Sequence, residues 1–252
     1  MKKIFAFCLP QAAAGLLLLL SGCGENSPEN YMNRAVLQAE KGDWAKAEKT
    51  ARKAVEKYPD VAAMQVLRAI MAERTGNRSA ALDAARHAVE LEPDNFIAQY
   101  TLGKLYSQDK MRSSEAEQAL VRAWTLNNQD RRTVILLCNN AMQVQSGRAA
   151  GYLNMLASDP EIANSARYHN QRAINYVLNG NYNAARISFG KAFKLAPDDP
   201  DIVLNVALFY DGCLRNRNLA VKVYRHYLKV AENNASGAAE AGARISILTQ
   251  AK

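Results

Sequence analysis

Residues 42–59 read GDWAKAEKTARKAVEKYP, and residues 76–93 read GNRSAALDAARHAVELEP. Four residues of the first segment return 34 positions later in the second: Gly42, Ala47, Ala54 and Pro59 return as Gly76, Ala81, Ala88 and Pro93. A third copy near the C-terminus keeps the same internal order: Gly180, Tyr182, Ala185, Phe189, Ala192 and Pro197. A fixed period of this length indicates helical hairpins that stack in tandem.

Each repeating residue has a physical role in such a hairpin. The glycine can adopt positive φ, so it closes the turn after the first helix. Alanines seven positions apart, such as Ala47 and Ala54, lie on one helical face and let a neighbouring helix approach closely. The proline ends the second helix, because it cannot continue one.

These residues resemble the tetratricopeptide repeat family, whose pattern also has an apolar and a small residue in the first helix. Leu102, Gly103 and Tyr106 supply that part in one unit, and Ile174 and Tyr176 supply it in another. The match is strong over 31–93 and 166–197, and it is looser over 96–128 and 202–231, where each unit needs one extra residue in its turn. The resemblance implies an all-α, right-handed superhelical solenoid of five to six helical hairpins with a C-terminal capping helix.

The period also divides the chain. The predicted segments are a lipoprotein signal peptide at 1–22, a lipid-anchored tether at 23–30, three repeat units at 31–128, a shortened and degenerate hairpin at 129–165, two repeat units at 166–232 and a capping helix at 238–250. The period fails in the shortened hairpin, where helices are predicted over 134–144 and 149–156.

The N-terminus is typical of an exported lipoprotein. Lys2 and Lys3 precede an apolar run over 12–20 that is too short to span a bilayer. The following Leu20-Ser21-Gly22-Cys23 resembles the bacterial lipobox, which implies cleavage before Cys23 and lipid on its thiol. An ordinary secretory signal is the alternative. Gly24 in place of Asp favours the outer membrane, with the protein facing the periplasm.

Two further cysteines remain in the predicted mature chain, Cys138 and Cys213. An oxidising compartment permits a disulfide between them. They are 75 residues apart, however, about two repeats in a fold whose units contact only their neighbours. A disulfide and two small buried apolar side chains therefore both remain open interpretations.

The net charge limits the partners. The chain carries +8, and removal of Lys2 and Lys3 would leave +6. An exported protein is a poor candidate for nucleic-acid binding, so the basic residues favour a different kind of partner. The densest group is Arg215, Arg217, Lys222, Arg225 and Lys229. It is either a solvated helix face or a contact surface for anionic lipid headgroups, lipopolysaccharide or an acidic protein.

No catalytic pattern is present in the sequence. The three histidines, His87, His169 and His226, lie in separate units without an acid or nucleophile at motif spacing. No phosphate-binding loop, nucleophile elbow or metal-ligand spacing occurs. We therefore predict that the protein is not an enzyme and binds no cofactor.

The resemblance implies a peptide-binding groove lined by the first helices. Its fifth and ninth positions in each unit are Met32 and Val36, Val66 and Ile70, Tyr100 and Lys104, Asn170 and Ile174, and Leu204 and Leu208. This mainly apolar row suits a protein or peptide segment with apolar side chains. The alternative is that the solenoid's own curvature or the tether buries part of the row. A clamp for a peptide carboxylate is not expected, because only Lys104 and Asn170 provide donors.

The expected function is that of a membrane-anchored periplasmic scaffold that binds proteins during assembly of an envelope machine. In plan, a lipobox followed by repeats is similar to the tight-adherence pilus lipoprotein and the type IV pilus pilotin. The alternative is an adaptor that recruits cell-wall hydrolases or proteases to the membrane.

Overall fold

A computed structural model describes residues 27–231 and 237–250. The predicted signal peptide and Cys23 lie outside the described residues. Within the described ranges the chain is helical and has no strand. No helix in those ranges combines the length and the apolar character that crossing a membrane requires.

Fourteen α-helices occur in the described ranges: α1 (Pro28–Glu40), α2 (Trp44–Lys57), α3 (Ala62–Arg74), α4 (Arg78–Leu91), α5 (Phe96–Tyr106), α6 (Ser113–Leu126), α7 (Arg131–Gln143), α8 (Ala149–Ala157), α9 (Pro160–Ala163), α10 (Ala166–Leu178), α11 (Tyr182–Leu195), α12 (Pro200–Leu208), α13 (Arg217–Val230) and α14 (Ala238–Gln250). A short 3₁₀-helix, Lys110–Arg112, precedes α6, and a π-helix, Phe209–Cys213, follows α12. The predicted all-α architecture of tandem hairpins is confirmed.

The described residues form two compact units, which divide between Asn140 and Ala141. The division falls inside the segment predicted as a shortened hairpin. In the first unit, α1 pairs with α2, α3 with α4 and α5 with α6, and each hairpin packs on the next. In the second unit, α10 pairs with α11 and α12 with α13, while α14 packs on α13.

The repeating residues act as predicted. The turn glycines Gly42, Gly76 and Gly180 have φ of 81°, 82° and 71°. The paired alanines of the second helices are fully buried: Ala47, Ala54, Ala81, Ala88, Ala185 and Ala192. Small side chains at these positions bring neighbouring helices together along each stack.

Helices α5 and α6 approach most closely at Gly103. A Cβ atom at this position would lie 2.7 Å from Cγ of Leu120 and 3.0 Å from the backbone nitrogen of the same residue. Leu120 is fully buried, so it has little room to move. The glycine is thus required by packing and not by its backbone conformation.

The extra residue of the last repeat lies in the π-helix. Ala173 and Ala207, on α10 and α12, are 34 residues apart, whereas Ala185 and Ala220, on α11 and α13, are 35 apart. The insertion therefore falls between Ala207 and Ala220, where Phe209–Cys213 is wound as a π-helix. A π turn accommodates one added residue without breaking the hydrogen-bonded helix.

A buried carboxylate on the π-helix holds the last helix in place. Asp211 accepts two hydrogen bonds from Arg244 of α14, Nε to Oδ2 and Nη2 to Oδ1, both at 2.8 Å. The hydroxyl of Tyr224 donates a third, at 3.1 Å. The Arg244 guanidinium holds the pKa of Asp211 below its usual value, and burial, reinforced by the bond to Asp211, raises the pKa of Tyr224 to about 12.

Cys138 and Cys213 form no disulfide within the described part of the chain. Cys138 is buried, and that burial raises its pKa to about 11. Cys213 is partly buried at the end of the π-helix, where burial also raises its pKa. Burial thus disfavours the thiolate, which is the reactive form of cysteine, at both positions.

We predict that Gly103→Val destabilises the first unit by ~1–3 kcal/mol, because the added side chain overpacks against Leu120. Urea unfolding followed by circular dichroism measures the loss. Gly151→Val is the matched control, since a Cβ at position 151 of α8 meets nothing within 4 Å. Equal losses for both variants would contradict the packing role of Gly103.

We predict that Arg244→Met loosens α14 by about 1–2 kcal/mol, a value reduced because the Arg244 side chain is 39% exposed. Hydrogen exchange of α14 amides should then accelerate roughly 5- to 30-fold. The contribution of Asp211 is complete above about pH 4, since its pKa is lowered on folding, and it is lost as the pH falls further. Arg225→Met is the control, because it makes the same substitution at another exposed arginine; it should leave the hydrogen-exchange rates of the α14 amides unchanged.

Candidate binding surface

The first helix of each hairpin, here called the A helix, carries the predicted groove residues. In the first unit the A helices are α1, α3 and α5, and each contacts the next. In the second unit they are α10 and α12, which also contact each other. The structure therefore places the predicted residues on adjacent helices within each unit, on a surface that we call the A-helix face.

Most predicted positions in the first unit are half-buried. Met32 and Ile70 pack against the core formed by α1, α2 and α3, yet each keeps part of its side chain exposed. Val36 and Tyr100 are exposed to a similar degree. These side chains present apolar surface that a partner could cover.

Val66 differs from its neighbours in this row. It is 6% exposed and packs with Ala88 and Ala98 in a small core cluster. Ile70 also touches this cluster, one helical turn further along α3. Val66 thus acts mainly in the core and offers little surface to a ligand.

Tyr100 is surrounded by an aromatic ring and a cation. The centroid of the Tyr100 ring lies 5.9 Å from the centroid of the Phe96 ring. The guanidinium of Arg132 lies 5.4 Å from the same Tyr100 centroid. Arg132 is in turn paired with Asp130, with Nε 2.7 Å from Oδ1. The contacts fix the ring of Tyr100 while leaving part of it exposed.

The charge of Lys104, at one end of the A-helix face, is balanced by a carboxylate of the protein itself. Nζ of Lys104 lies 2.7 Å from Oε2 of Glu73 on the preceding A helix, and Nε2 of Gln108 donates to Oε1 of the same carboxylate. A lysine engaged in this way is not available to hold a free peptide carboxylate without losing its partner. A peptide carboxylate would therefore have to compete with Glu73 for this lysine.

In the second unit the four predicted residues differ in their surroundings. Asn170 accepts a hydrogen bond at 3.3 Å from Asn205 of the neighbouring A helix. Ile174 packs on the core of α10, α11 and α12. Leu204 lies beside Gly237, the residue before α14, while Leu208 is 45% exposed. The apolar row is thus partly covered here.

Sequence reasoning missed the polar partners of this surface. Glu73 and Gln108 lie at the twelfth and thirteenth positions of their repeats, which the resemblance also assigns to the groove but which were not among the residues predicted above, and Arg132 lies in the degenerate hairpin, where the period fails. Glu73 and Lys104 are 31 residues apart and meet because consecutive A helices lie side by side. The sequence did offer one signal for this contact, because two residues of opposite charge lie nearly one repeat period apart.

Metal binding finds no support in this part of the chain. Across residues 27–231 and 237–250, no group of three or more His, Cys, Asp or Glu side chains could hold a metal ion. The A-helix face instead offers apolar side chains, an amide pair and one internal ion pair, which is the chemistry of a protein-binding surface.

Comparison with known families supports the repeat architecture. Residues 32–96 and residues 166–199 each match a family model described as tetratricopeptide repeat. The chain therefore contains tetratricopeptide repeats in both units. No curated protein sequence is significantly similar to it.

Several solved structures share the fold. PilW, a widely conserved type IV pilus biogenesis factor, is 17% identical, with 84% of this chain and 97% of PilW covered at a TM-score of 0.71. PilF of Pseudomonas aeruginosa is also 17% identical, with 86% and 96% covered at a TM-score of 0.64. YrrB, a protein of this repeat class with an unusual peptide-binding site, is 19% identical, with 77% and 97% covered at a TM-score of 0.56. At these identities the likeness shows the fold alone.

Proposed function

We propose that this protein is a non-catalytic scaffold, anchored to a bacterial membrane by lipid on Cys23, that binds protein partners during assembly of an envelope machine. The observation that carries the proposal is the row of half-buried apolar side chains on adjacent A helices of the first unit, namely Met32, Val36, Ile70 and Tyr100. Tetratricopeptide repeats in both units give it further support.

The shape and chemistry of the row favour a peptide segment as the partner. The fifth- and ninth-position side chains lie on the adjacent helices α1, α3 and α5, and all of them except the buried Val66 keep part of their surface exposed. An extended or helical segment can place its own apolar side chains against this surface. Lys104 and Glu73 at one edge supply polar groups that would orient such a segment.

The envelope location is supported by the N-terminal sequence. A basic start, a short apolar run and the tetrad ending at Cys23 together form a lipoprotein signal. Acyl chains contribute ~0.8 kcal/mol per buried CH₂, so two or three chains on one cysteine give stable anchoring. Gly24 after the cysteine favours the periplasmic leaflet of the outer membrane.

The particular machine is suggested by the shared fold with PilW, a type IV pilus biogenesis factor. A pilus, secretin or related secretion assembly would need a protein at the membrane that holds its subunits. We take this as the most specific form of the proposal.

We predict that a photo-crosslinking amino acid at position 100, introduced in the native cell, captures an envelope protein that mass spectrometry identifies. Components of a pilus or secretin would support the proposed assembly role. Wall hydrolases or proteases would instead favour the adaptor function, and the absence of any protein adduct would contradict binding at this face.

We predict that Tyr100→Glu reduces partner binding about 10-fold or more, because a charge replaces an apolar contact of the row. Co-purification with the crosslinked partner measures the loss. Met111→Glu is the control, since Met111 is 89% exposed in the same unit and lies off the A helices. Circular dichroism must show that both variants keep the helicity and melting temperature of the unchanged chain.

We predict that Cys23→Ser moves the protein from the membrane fraction to the soluble fraction of the cell envelope, since serine cannot form the thioether to lipid. Fractionation and immunoblotting measure the distribution. Cys138→Ser, at a cysteine within the folded chain, should leave the protein at the membrane. A Cys23→Ser protein that stays with the membrane after a high-salt wash would contradict a lipid anchor.

A further inference from the structure

Two helices of the second unit carry charge of one sign only. Helix α11 contains Arg186, Lys191 and Lys194, and α13 contains Arg217, Lys222, Arg225 and Lys229. Neither helix contains an Asp or a Glu. Seven cations without a single anion on two helices are unusual for solvated faces, which normally mix both signs.

A cavity of about 1070 Å³ lies along these helices. Its lining includes four exposed cations, which we call its rim, and the half-buried apolar side chains Phe193 and Val223; the cations are Arg186, Lys222, Arg225 and Lys229. The rings of Phe193 and His226 meet at 5.8 Å between α11 and α13. We call this cavity the B-helix groove, because α11 and α13 are the second helices of their hairpins.

The cations on the rim are not neutralised from within the unit. Among the described residues, none of Arg186, Lys222, Arg225 and Lys229 has an ion-pair partner. Two acidic side chains lie nearby: Asp198 is 3.5 Å from His226, which itself lines the groove, and Asp211 is paired with Arg244. The rim therefore attracts an anionic partner over a distance of roughly one Debye length, about 8 Å at physiological salt.

Gly190 gives an independent reason to expect a partner here. It lies in the middle of α11, on the wall of the groove, where glycine weakens a helix by about 0.5–1 kcal/mol relative to alanine. A Cβ at this position would meet nothing within 4 Å, so packing inside the protein does not require glycine. Its absence of a side chain does leave the groove wider for an incoming main chain.

We propose that the B-helix groove binds an acidic segment of a protein partner that also carries aromatic or large aliphatic side chains. The acidic groups would pair with Lys222, Arg225 and Lys229 at the rim. The apolar side chains would enter between the helices and contact Phe193 and Val223. This site goes beyond the proposed function, because it lies on different helices and recognises charge that the A-helix face does not.

The recessed position of the apolar surface favours a peptide over a membrane. A lipid bilayer would touch the protruding lysine and arginine side chains but could not reach Phe193 between two helices. A peptide side chain of aromatic size can enter a cavity of this volume. Contact with anionic lipid headgroups is therefore the competing outcome of the test.

The first experiment selects random displayed peptides against the purified full-length chain in detergent. Selected peptides should be acidic and contain at least one aromatic or large aliphatic residue. Their affinity, measured by fluorescence anisotropy, should fall about 10-fold or more in Lys222→Glu/Arg225→Glu, because reversed charges repel the peptide. Binding should also weaken at high salt.

The matched control is Lys49→Glu/Lys53→Glu, which makes the same change in net charge at two exposed lysines of α2. An equal loss in this control would mean that only overall charge matters and would overturn the site. Selected peptides without acidic residues would overturn it too. A third outcome would also overturn it. In that outcome no acidic peptide binds, and phosphatidylglycerol vesicles bind the unchanged chain but not Lys222→Glu/Arg225→Glu.

A second variant tests the groove without changing charge. Gly190→Leu narrows the groove and should abolish peptide binding while α11 remains helical, since leucine is a better helix former than glycine. Gly151→Leu, at another helical glycine with open space around it, should bind normally. Tyr100→Glu should retain this binding as well, so that failure at one surface can be told from failure at the other.

Discussion

Close contact between helices at buried alanines is the interaction on which both units depend. Ala47, Ala54, Ala81 and Ala88 are all 0% exposed, and each second helix can approach its neighbours only because these side chains are small. One alanine contributes little buried area, so stability comes from the repetition of the contact along the stack. This dependence explains why the period of 34 residues is kept so strictly between the first two hairpins.

At the last repeat of the stack, a tyrosine takes the place of the buried alanine. Tyr227 occupies the position that corresponds to Ala192, once the extra residue of the π-helix is counted. It is 3% exposed, and a Cβ at Gly237 would lie 2.7 Å from its hydroxyl. A large aromatic residue can fill this position because α14, and not another A helix of the repeat, packs over it. Asp211 then joins the π-helix to α14 through Arg244, so the insertion also provides the attachment point of the capping helix.

The two candidate surfaces differ in chemistry. On the A-helix face, Lys104 is paired with Glu73, and the remaining predicted residues of the first unit are apolar. On the B-helix groove, the cations have no acidic residue on their own helices. A partner for the first is selected by apolar shape, whereas a partner for the second is selected largely by negative charge. A scaffold with both surfaces would hold two different proteins, or two segments of one.

The sequence alone predicted the hairpins, the turn glycines and the buried alanines, because the period preserves side-chain size wherever neighbouring units meet. It also predicted an extra residue in the turn of the last repeat, whereas the structure places that residue in the π-helix that continues α12. The sequence did not predict which of the residues at equivalent repeat positions remain exposed to solvent. Val66 occupies the same repeat position as Met32 and Tyr100 but is buried against Ala88 and Ala98.

The polar contacts needed the tertiary structure as well. Lys104 with Glu73 and Asp211 with Arg244 join residues 31 and 33 positions apart, and neither pair follows the 34-residue period of the repeat. The position of an apolar residue in a repeat determines which face of its helix it occupies, so periodicity is sufficient to place it. A charged side chain is long and can turn toward several neighbours, so its partner is determined by the packing of helices that are distant in sequence.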